Sequence, residues 1–194
     1  MRKIDCIRAT TILLALAVSV TSVRADNLVR ESVTYYDISG STAQALREAL
    51  NVSGPVGTDG KRYDGHTKWD IRWRFNFHTP KDVCEVSNIE TTVEVTTTLP
   101  RWSDWPHASP HLVEQWEDYT RALTTHERGH MNIAIRTAET IRSRVKDLRD
   151  SPSCSELQLA IDRATNAVLN EAREEEIQYD KMTGHGETEG ARFP

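Results

Sequence analysis

The sequence predicts an α+β fold, in which a sheet from the amino-terminal half packs on one long helix and on a second, carboxy-terminal helix. The evidence for the sheet is clearest in residues 67–78, where apolar and polar side chains alternate with the period of two that a strand imposes. The evidence for the helices lies beyond residue 110, where apolar residues recur every three or four positions.

The first predicted elements are a short strand and a short helix. Residues 33–38 are rich in aromatic and β-branched side chains, and Gly40 with Ser41 marks the end of this strand. Residues 42–50 show the apolar spacing of a helix, with Ser41 available as its N-cap. Residues 54–65 are interrupted by glycine and proline and are predicted to form a loop.

Two longer strands follow. In residues 67–78 the side chains predicted to face the core are Trp69, Ile71, Trp73, Phe75 and Phe77, and those predicted to face water are Lys68, Asp70, Arg72, Arg74 and Asn76. Residues 86–99 form the next predicted strand, which Pro100 ends. A single loop separates these strands, so an antiparallel pairing is expected. The threonine-rich stretch 91–98 is either a sheet edge that binds an extended peptide or an ordinary solvated face.

Residues 110–148 form the longest predicted helix, with Ser109 as its N-cap and Pro110 in its first turn. One face carries the stripe Leu112, Trp116, Tyr119, Leu123, His126, His130 and Ile133, so both histidines are predicted to face inward. If the helix breaks, the break is expected near residues 124–125. A further helix is predicted over residues 155–178, with an inward stripe of Leu157, Ile161, Ala164, Val168 and either Glu171 or Ala172.

The amino terminus predicts export. Arg2 and Lys3 precede an apolar stretch at residues 12–20 and a V-R-A sequence that suits signal peptidase. Residues 1–25 are therefore interpreted as a signal peptide, and residues 26–194 as a single domain in the periplasm or outside the cell. An uncleaved membrane anchor is the alternative, although the apolar stretch is too short to span a bilayer comfortably, so no stable membrane insertion is expected after cleavage.

Two cysteines, Cys84 and Cys154, follow the predicted signal peptide, and in an oxidising compartment they most simply form one disulfide bond. Metal binding by these thiols is the competing interpretation, but they are isolated from each other and from the histidines. The whole chain has a formal charge of −5, and loss of the signal peptide removes four basic residues and one acidic residue, which leaves −8. This acidic balance argues against a nucleic-acid partner.

Residues 126–130 read H-E-R-G-H, a motif with a direct chemical interpretation. His126 and His130, four residues apart on a helix, leave the same face one turn from each other and can bind one zinc ion. Glu127 lies beside them, where it can accept a proton from a water at the open coordination position. The competing interpretation is a solvated helix face whose histidines bind nothing. The inward stripe and the predicted export favour the zinc site.

The third zinc ligand is not part of this motif. Catalytic zinc usually takes three protein ligands and leaves one position for water. The metzincin pattern is excluded, because Ile133 and Arg136 stand where it needs glycine and histidine. Glu171 on the second helix is one candidate; His185, which flanking glycines leave free to turn back, is the stronger one. The other histidines, more typical of surface or packing positions, are His66, His78, His107 and His111.

Five motifs occur in the order Y-D-I-x-G-x-T (36–42), T-K-W-x-I-x-W-x-F (67–75), L-P-R-W (99–102), H-E-x-G-H (126–130) and Y-D-x-x-T-x-H-G-x-x-x-G-A (179–191). This set resembles the bacterial domain-of-unknown-function 922 family, regarded as predicted secreted zinc-dependent peptidases. The resemblance covers nearly the whole mature chain. It implies a zincin-like α+β domain and favours a place for the closing T-x-H-G segment in the active site.

The sequence thus predicts a peptidase in which His185 joins the two motif histidines to bind Zn2+, and Glu127 acts as general base on a peptide or protein substrate. Zinc itself is expected to stabilise the scissile carbonyl oxygen, and Tyr179 or His111 is the candidate for a second, weaker donor to it. Gly129 is expected to let a strand or the substrate approach the helix closely. Two other functions use the same motif: zinc-dependent hydrolysis of a non-protein amide, and a non-enzymatic metal-binding module.

Overall fold

The computed structural model describes residues 27–194, which form a three-stranded mixed sheet and three α-helices. In chain order the elements are β1 (Asn27–Ile38), α1 (Ala43–Ser53), β2 (His66–His78), β3 (Glu85–Trp102), α2 (Pro110–Lys146) and α3 (Cys154–Thr183). The predicted α+β class is confirmed, including the long central helix. No helix of the described residues is both long and apolar enough to cross a membrane. The predicted signal peptide lies outside the described residues.

The sheet has the strand order β1-β3-β2, so β3 lies in its centre. β2 runs antiparallel to β3, as predicted, whereas β1 runs parallel to it. Thr97, for example, is aligned with Val33 of β1 on one side and with Thr67 of β2 on the other. The interpretation of residues 91–98 as a sheet edge is therefore wrong, and the two edge strands of the described sheet are β1 and β2.

β3 continues through Pro100, the residue predicted to end it. Pairing with β2 stops at Thr98, whose partner is His66, whereas pairing with β1 continues as far as Trp102. Beyond Thr98 the strand therefore has a neighbouring strand on one side only. A residue without a backbone N–H group is tolerated at such an edge position.

The helix starts and interiors differ from the predictions in two places. Thr42, not Ser41, is the N-cap of α1, and its hydroxyl accepts a hydrogen bond from the backbone N–H of Ala45 at 3.2 Å. Ser109 caps α2 as predicted. No break interrupts α2 at residues 124–125, although both threonine hydroxyls donate to carbonyls four residues earlier, a type of hydrogen bond that often bends helices.

The core consists of two clusters of buried side chains. The first lies between the sheet and helices α2 and α3, around Ile71, Val93, Ile141 and Ile161. The predicted alternation of β2 is confirmed, since its apolar side chains pack against this cluster and the polar ones between them are exposed. The second cluster joins α1 and the start of α2 to the chain end, where Phe193 is buried. Burial of each large apolar side chain contributes about 2 kcal/mol, so the carboxy terminus is firmly packed.

Cys84 and Cys154 form the predicted disulfide bond, with their Cα atoms 5.2 Å apart. The bond ties the loop between β2 and β3 to the first residue of α3. Two backbone hydrogen bonds between Cys84 and Ser151 lie next to it. The disulfide therefore holds the start of α3 against the sheet, and with it the direction in which α3 runs to the candidate site.

Replacing both cysteines with serine is expected to lower the free energy of unfolding by about 4 kcal/mol, because the bond closes a loop of this length in the unfolded chain. The sequence separation that sets this loop is 70 residues. Urea denaturation of the parent and of the double variant Cys84→Ser/Cys154→Ser measures the difference. Reduced parent protein is the matched control and should unfold at the same urea concentration as the variant. A midpoint that neither treatment changes would contradict the stabilising role.

Candidate metal centre

Two histidines of α2 belong to the candidate site. His126 and His130 lie one turn apart and are 3% and 7% exposed. The buried residues Leu123 and Ile133 continue the same face on either side, so the predicted inward stripe is confirmed. The Nε2 atoms of the two rings are 3.3 Å apart. Each ring thus brings one nitrogen to the same place.

Asp180, near the end of α3, completes the group. Its Oδ1 atom lies 3.2 Å from Nε2 of His126 and 3.1 Å from Nε2 of His130. Ligand atoms that bind a tetrahedral zinc ion at about 2.0–2.1 Å lie roughly 3.3 Å from one another. The three atoms therefore match one face of such a coordination shell, and the donor set fits a zinc ion. Within the described part of the chain, these three side chains are the potential metal ligands whose ligand atoms converge.

The residues predicted as third ligand lie elsewhere. His185 is next to Asp180, with its Nδ1 atom 3.4 Å from Oδ1, but its side chain is 52% exposed and does not belong to the converging group. Glu171 is exposed, and Ala172 takes the inward position on that turn of α3. The structure thus brings together the two predicted histidines with an aspartate that was not predicted.

Glu127 is buried beside the two histidines and is held by β2. Thr67 donates a hydrogen bond to its Oε2 atom at 2.7 Å. Gly65 lies so close that a Cβ atom there would be 2.5 Å from Oε1. Burial raises the pKa of Glu127, and the hydrogen bond from Thr67 offsets part of this rise. A raised pKa brings the carboxylate closer to the range in which a general base is most effective at neutral pH.

Tyr179 supports His126. Its ring stacks on the imidazole, with centroids 4.9 Å apart and planes 13° from parallel. Its hydroxyl lies 3.3 Å from the backbone carbonyl oxygen of His126 and 3.1 Å from Oε1 of Glu189. Its role as a donor to the substrate stays a prediction. The alternative donor, His111, is exposed in the first turn of α2, about 22 Å along the helix from His126.

Two glycines allow α3 and the segment that follows it to approach α2. A Cβ atom at Gly129 would lie 2.2 Å from the hydroxyl oxygen of Tyr179, so this side chain fills the space that was predicted for a strand or the substrate. A Cβ atom at Gly186 would lie 2.9 Å from Cγ of His126. His185, just before it, has a φ of 55°, a conformation that costs a non-glycine residue energy and that clusters at functional sites.

A sequence model described as "Bacterial protein of unknown function (DUF922)" matches residues 33–186. The chain belongs to the DUF922 family. No curated protein and no solved structure matches the chain. The matched range includes His126, Glu127, His130 and Asp180, so the whole converging group lies in the part that the family model describes.

The candidate metal centre of this DUF922 protein holds more negative than positive charge. Its carboxylates are those of Glu127, Glu176, Asp180 and Glu189. Burial lowers the pKa of His130, but the hydrogen bond to Asp180 and the nearby carboxylate of Glu176 outweigh it and raise that pKa to about 10. Burial raises the pKa of Asp180, but its hydrogen bonds with the two histidines outweigh it and hold that pKa far below its usual range. A divalent cation would offset this negative charge, which is a second reason why the residues fit a metal.

Asp180 was missed as a candidate ligand because the helix predicted over residues 155–178 ended just before it. α3 instead continues to Thr183. Its inward stripe therefore extends from Val168 and Ala172 in steps of four to Glu176 and Asp180. The four-residue spacing was visible in the sequence and, with a longer helix, would have identified the aspartate.

Proposed function

We propose that the protein is an extracytoplasmic zinc-dependent peptidase with a zincin-like site. The observation that carries the proposal is the convergence of His126 Nε2, His130 Nε2 and Asp180 Oδ1 beside the buried Glu127. Three protein ligands of this kind, with one position left for water, are typical of catalytic zinc. The disulfide bond supports an oxidising compartment, the periplasm or the outside of the cell.

In the proposed hydrolysis the metal and Glu127 have separate roles. Zinc at this site would supply an acidified water and a positive charge for the scissile carbonyl oxygen. Glu127 accepts the proton of the attacking water and passes it to the leaving amine. Because Thr67 already donates a hydrogen bond to Oε2 at 2.7 Å, we assign the transfer of that proton to Oε1. Thr67 and Gly65 keep the carboxylate in place while it does so.

A free strand edge beside the site supports a peptide as the substrate. The outer edge of β2 has no partner strand among residues 27–194, and Thr67, near its start, contacts Glu127. An extended peptide that pairs with this edge would gain main-chain hydrogen bonds and pass next to the general base. The peptide-binding edge proposed for this enzyme is therefore β2, in place of the central strand β3.

Zinc content and hydrolysis together test the proposal. Protein purified without chelator is expected to contain zinc and to cleave unfolded proteins, with new amino termini detected by mass spectrometry. A chelator should stop cleavage, and added zinc should restore it. Folded, zinc-loaded protein that cleaves no peptide would contradict the peptidase assignment. If the same protein hydrolyses a non-protein amide, that activity replaces it.

A non-enzymatic metal-binding module is the second candidate, and the position of His185 favours it. The Nδ1 atom of this histidine is 3.4 Å from Oδ1 of Asp180, so a small movement of the closing segment would bring a fourth protein ligand to the metal. A shell closed by four protein ligands is typical of structural zinc. The two candidates therefore differ in whether His185 binds the metal.

His185→Ala is expected to retain the bound zinc, because the ligand atoms that converge are those of His126, His130 and Asp180. Metal analysis after dialysis measures the retained zinc. His107→Ala, which removes another exposed histidine, is the matched control. Loss of most of the zinc from His185→Ala alone would instead make His185 a ligand, as the sequence predicted.

A further inference from the structure

Both histidines of the candidate metal centre meet a glutamate with the nitrogen that faces away from the centre. Nδ1 of His126 is 2.9 Å from Oε2 of Glu189, and Nδ1 of His130 is 3.3 Å from Oε1 of Glu176. A histidine that binds a metal through Nε2 must carry its proton on Nδ1. We infer that Glu189 and Glu176 are positioning residues that hold the two histidines in this tautomer and orientation. The inference rests on the proposed metal site.

Glu189 is itself held in place before any metal binds. The hydroxyl of Tyr179 lies 3.1 Å and 3.2 Å from its two carboxylate oxygens. Its backbone N–H donates to the carbonyl oxygen of Gly186 at 3.0 Å, within a short turn that packs against His126. The stacked ring of Tyr179 covers the imidazole of His126. The carboxylate therefore meets Nδ1 of a ring whose plane is already fixed.

Glu176 acts on the other histidine from α3. It precedes Asp180 by one helical turn, so the same helix face reaches both nitrogens of His130: Asp180 lies 3.1 Å from Nε2 and Glu176 lies 3.3 Å from Nδ1. One helix thus presents a ligand and an orienting group to the same ring. The position of α3 that brings Asp180 to Nε2 of His130 also brings Glu176 to its opposite nitrogen.

The contact between Glu176 and His130 is close but poorly aligned. Nδ1 of His130 and Oε1 of Glu176 are both buried, and neither has a well-aligned hydrogen-bond partner among the described residues. A buried donor or acceptor left unpaired is unfavourable, because it has lost its hydrogen bonds to water. Since the two atoms are already 3.3 Å apart, a small rotation that aligns them is favoured. The Glu189 contact is shorter and better aligned, so Glu189 is expected to contribute more than Glu176.

Zinc affinity, measured by competition with a chelator, tests the inference without reference to hydrolysis. Glu189→Ala and Glu176→Ala are each expected to weaken zinc binding by about 10–100-fold, the usual effect of losing an outer-shell partner of a metal-bound histidine. Glu189→Gln keeps an acceptor oxygen and should lose less than Glu189→Ala. Glu187→Ala removes an exposed carboxylate from the same segment and is the matched control, with an affinity equal to that of the parent.

The tautomer of each histidine, measured by NMR, would not change through a general loss of stability. In 15N-labelled, zinc-loaded parent, NMR should show a protonated Nδ1 and a metal-bound Nε2 for both histidines. Glu189→Ala should expose the Nδ1 proton of His126 to faster exchange with water, and Glu176→Ala that of His130. Such ring-specific changes, with unaltered melting of the metal-free protein, support the inference.

Unchanged zinc affinity in both alanine variants would overturn the inference, as would binding through Nδ1 instead of Nε2. Glu189→Gln controls for a folding defect. If this variant folds normally but binds zinc as weakly as Glu189→Ala, orientation of His126 by an acceptor oxygen is contradicted. A parent that binds no zinc overturns the proposed metal site and this inference together. A parent that binds zinc but cleaves no peptide overturns only the proposed hydrolysis.

Discussion

Glu127→Gln is expected to reduce the kcat for peptide hydrolysis by about 10³-fold while the zinc content stays that of the parent. The amide of glutamine cannot accept the proton of the attacking water, and general-base catalysis typically contributes about 10²–10⁴-fold. The substitution preserves the size of the side chain and an oxygen that Thr67 can still contact. Steady-state kinetics and metal analysis on the same preparation measure the two quantities separately.

The matched control is Glu139→Gln, which makes the same chemical change at an exposed position of α2. Its kcat and zinc content should equal those of the parent. Equal turnover by Glu127→Gln and the parent would contradict the general-base role. Loss of zinc from Glu127→Gln would show instead that this residue supports the metal, because its carboxylate lies beside the two histidines in the buried site.

Asp180→Ala is expected to weaken zinc binding by more than about 100-fold, because it removes a direct ligand, whereas loss of an outer-shell partner costs about 10–100-fold. The two histidines would then keep their places on α2 but lose the oxygen that lies 3.2 Å and 3.1 Å from their Nε2 atoms. Competition with a chelator measures the affinity. Hydrolysis should fall in proportion to the fraction of protein without zinc.

Glu174→Ala, at an exposed position six residues earlier on α3, is the matched control and should bind zinc like the parent. An affinity of Asp180→Ala equal to that of this control would remove Asp180 from the ligand set. In that case a loss of zinc in His185→Ala would identify the missing ligand as the neighbouring histidine.

Local patterns made much of the fold predictable. The alternation in β2 follows from one buried and one exposed face, and the inward stripe of α2 follows from its packing against the sheet. The disulfide was predictable because two cysteines follow the predicted signal peptide. The position of His126 and His130 on that stripe was therefore predictable as well.

Features set by contacts between distant segments were not predictable in the same way. β1 lies parallel to β3 although a helix and β2 separate them in the chain, and this pairing places β3 in the centre of the sheet. Asp180 reaches the site because α3 runs five residues beyond the predicted end, to a left-handed C-cap at Gly184. The bulky partner at Gly129 is Tyr179, which the sequence alone could not place there.

A crystal structure of the zinc-loaded protein, with anomalous diffraction recorded at the zinc edge, tests the central claim most directly. We expect one zinc peak bound by Nε2 of His126, Nε2 of His130 and a carboxylate oxygen of Asp180, each at about 2.0–2.2 Å, with no protein atom in the fourth position. A zinc ion bound by His185 or Glu171 in place of Asp180, or one enclosed by four protein ligands, would contradict the account.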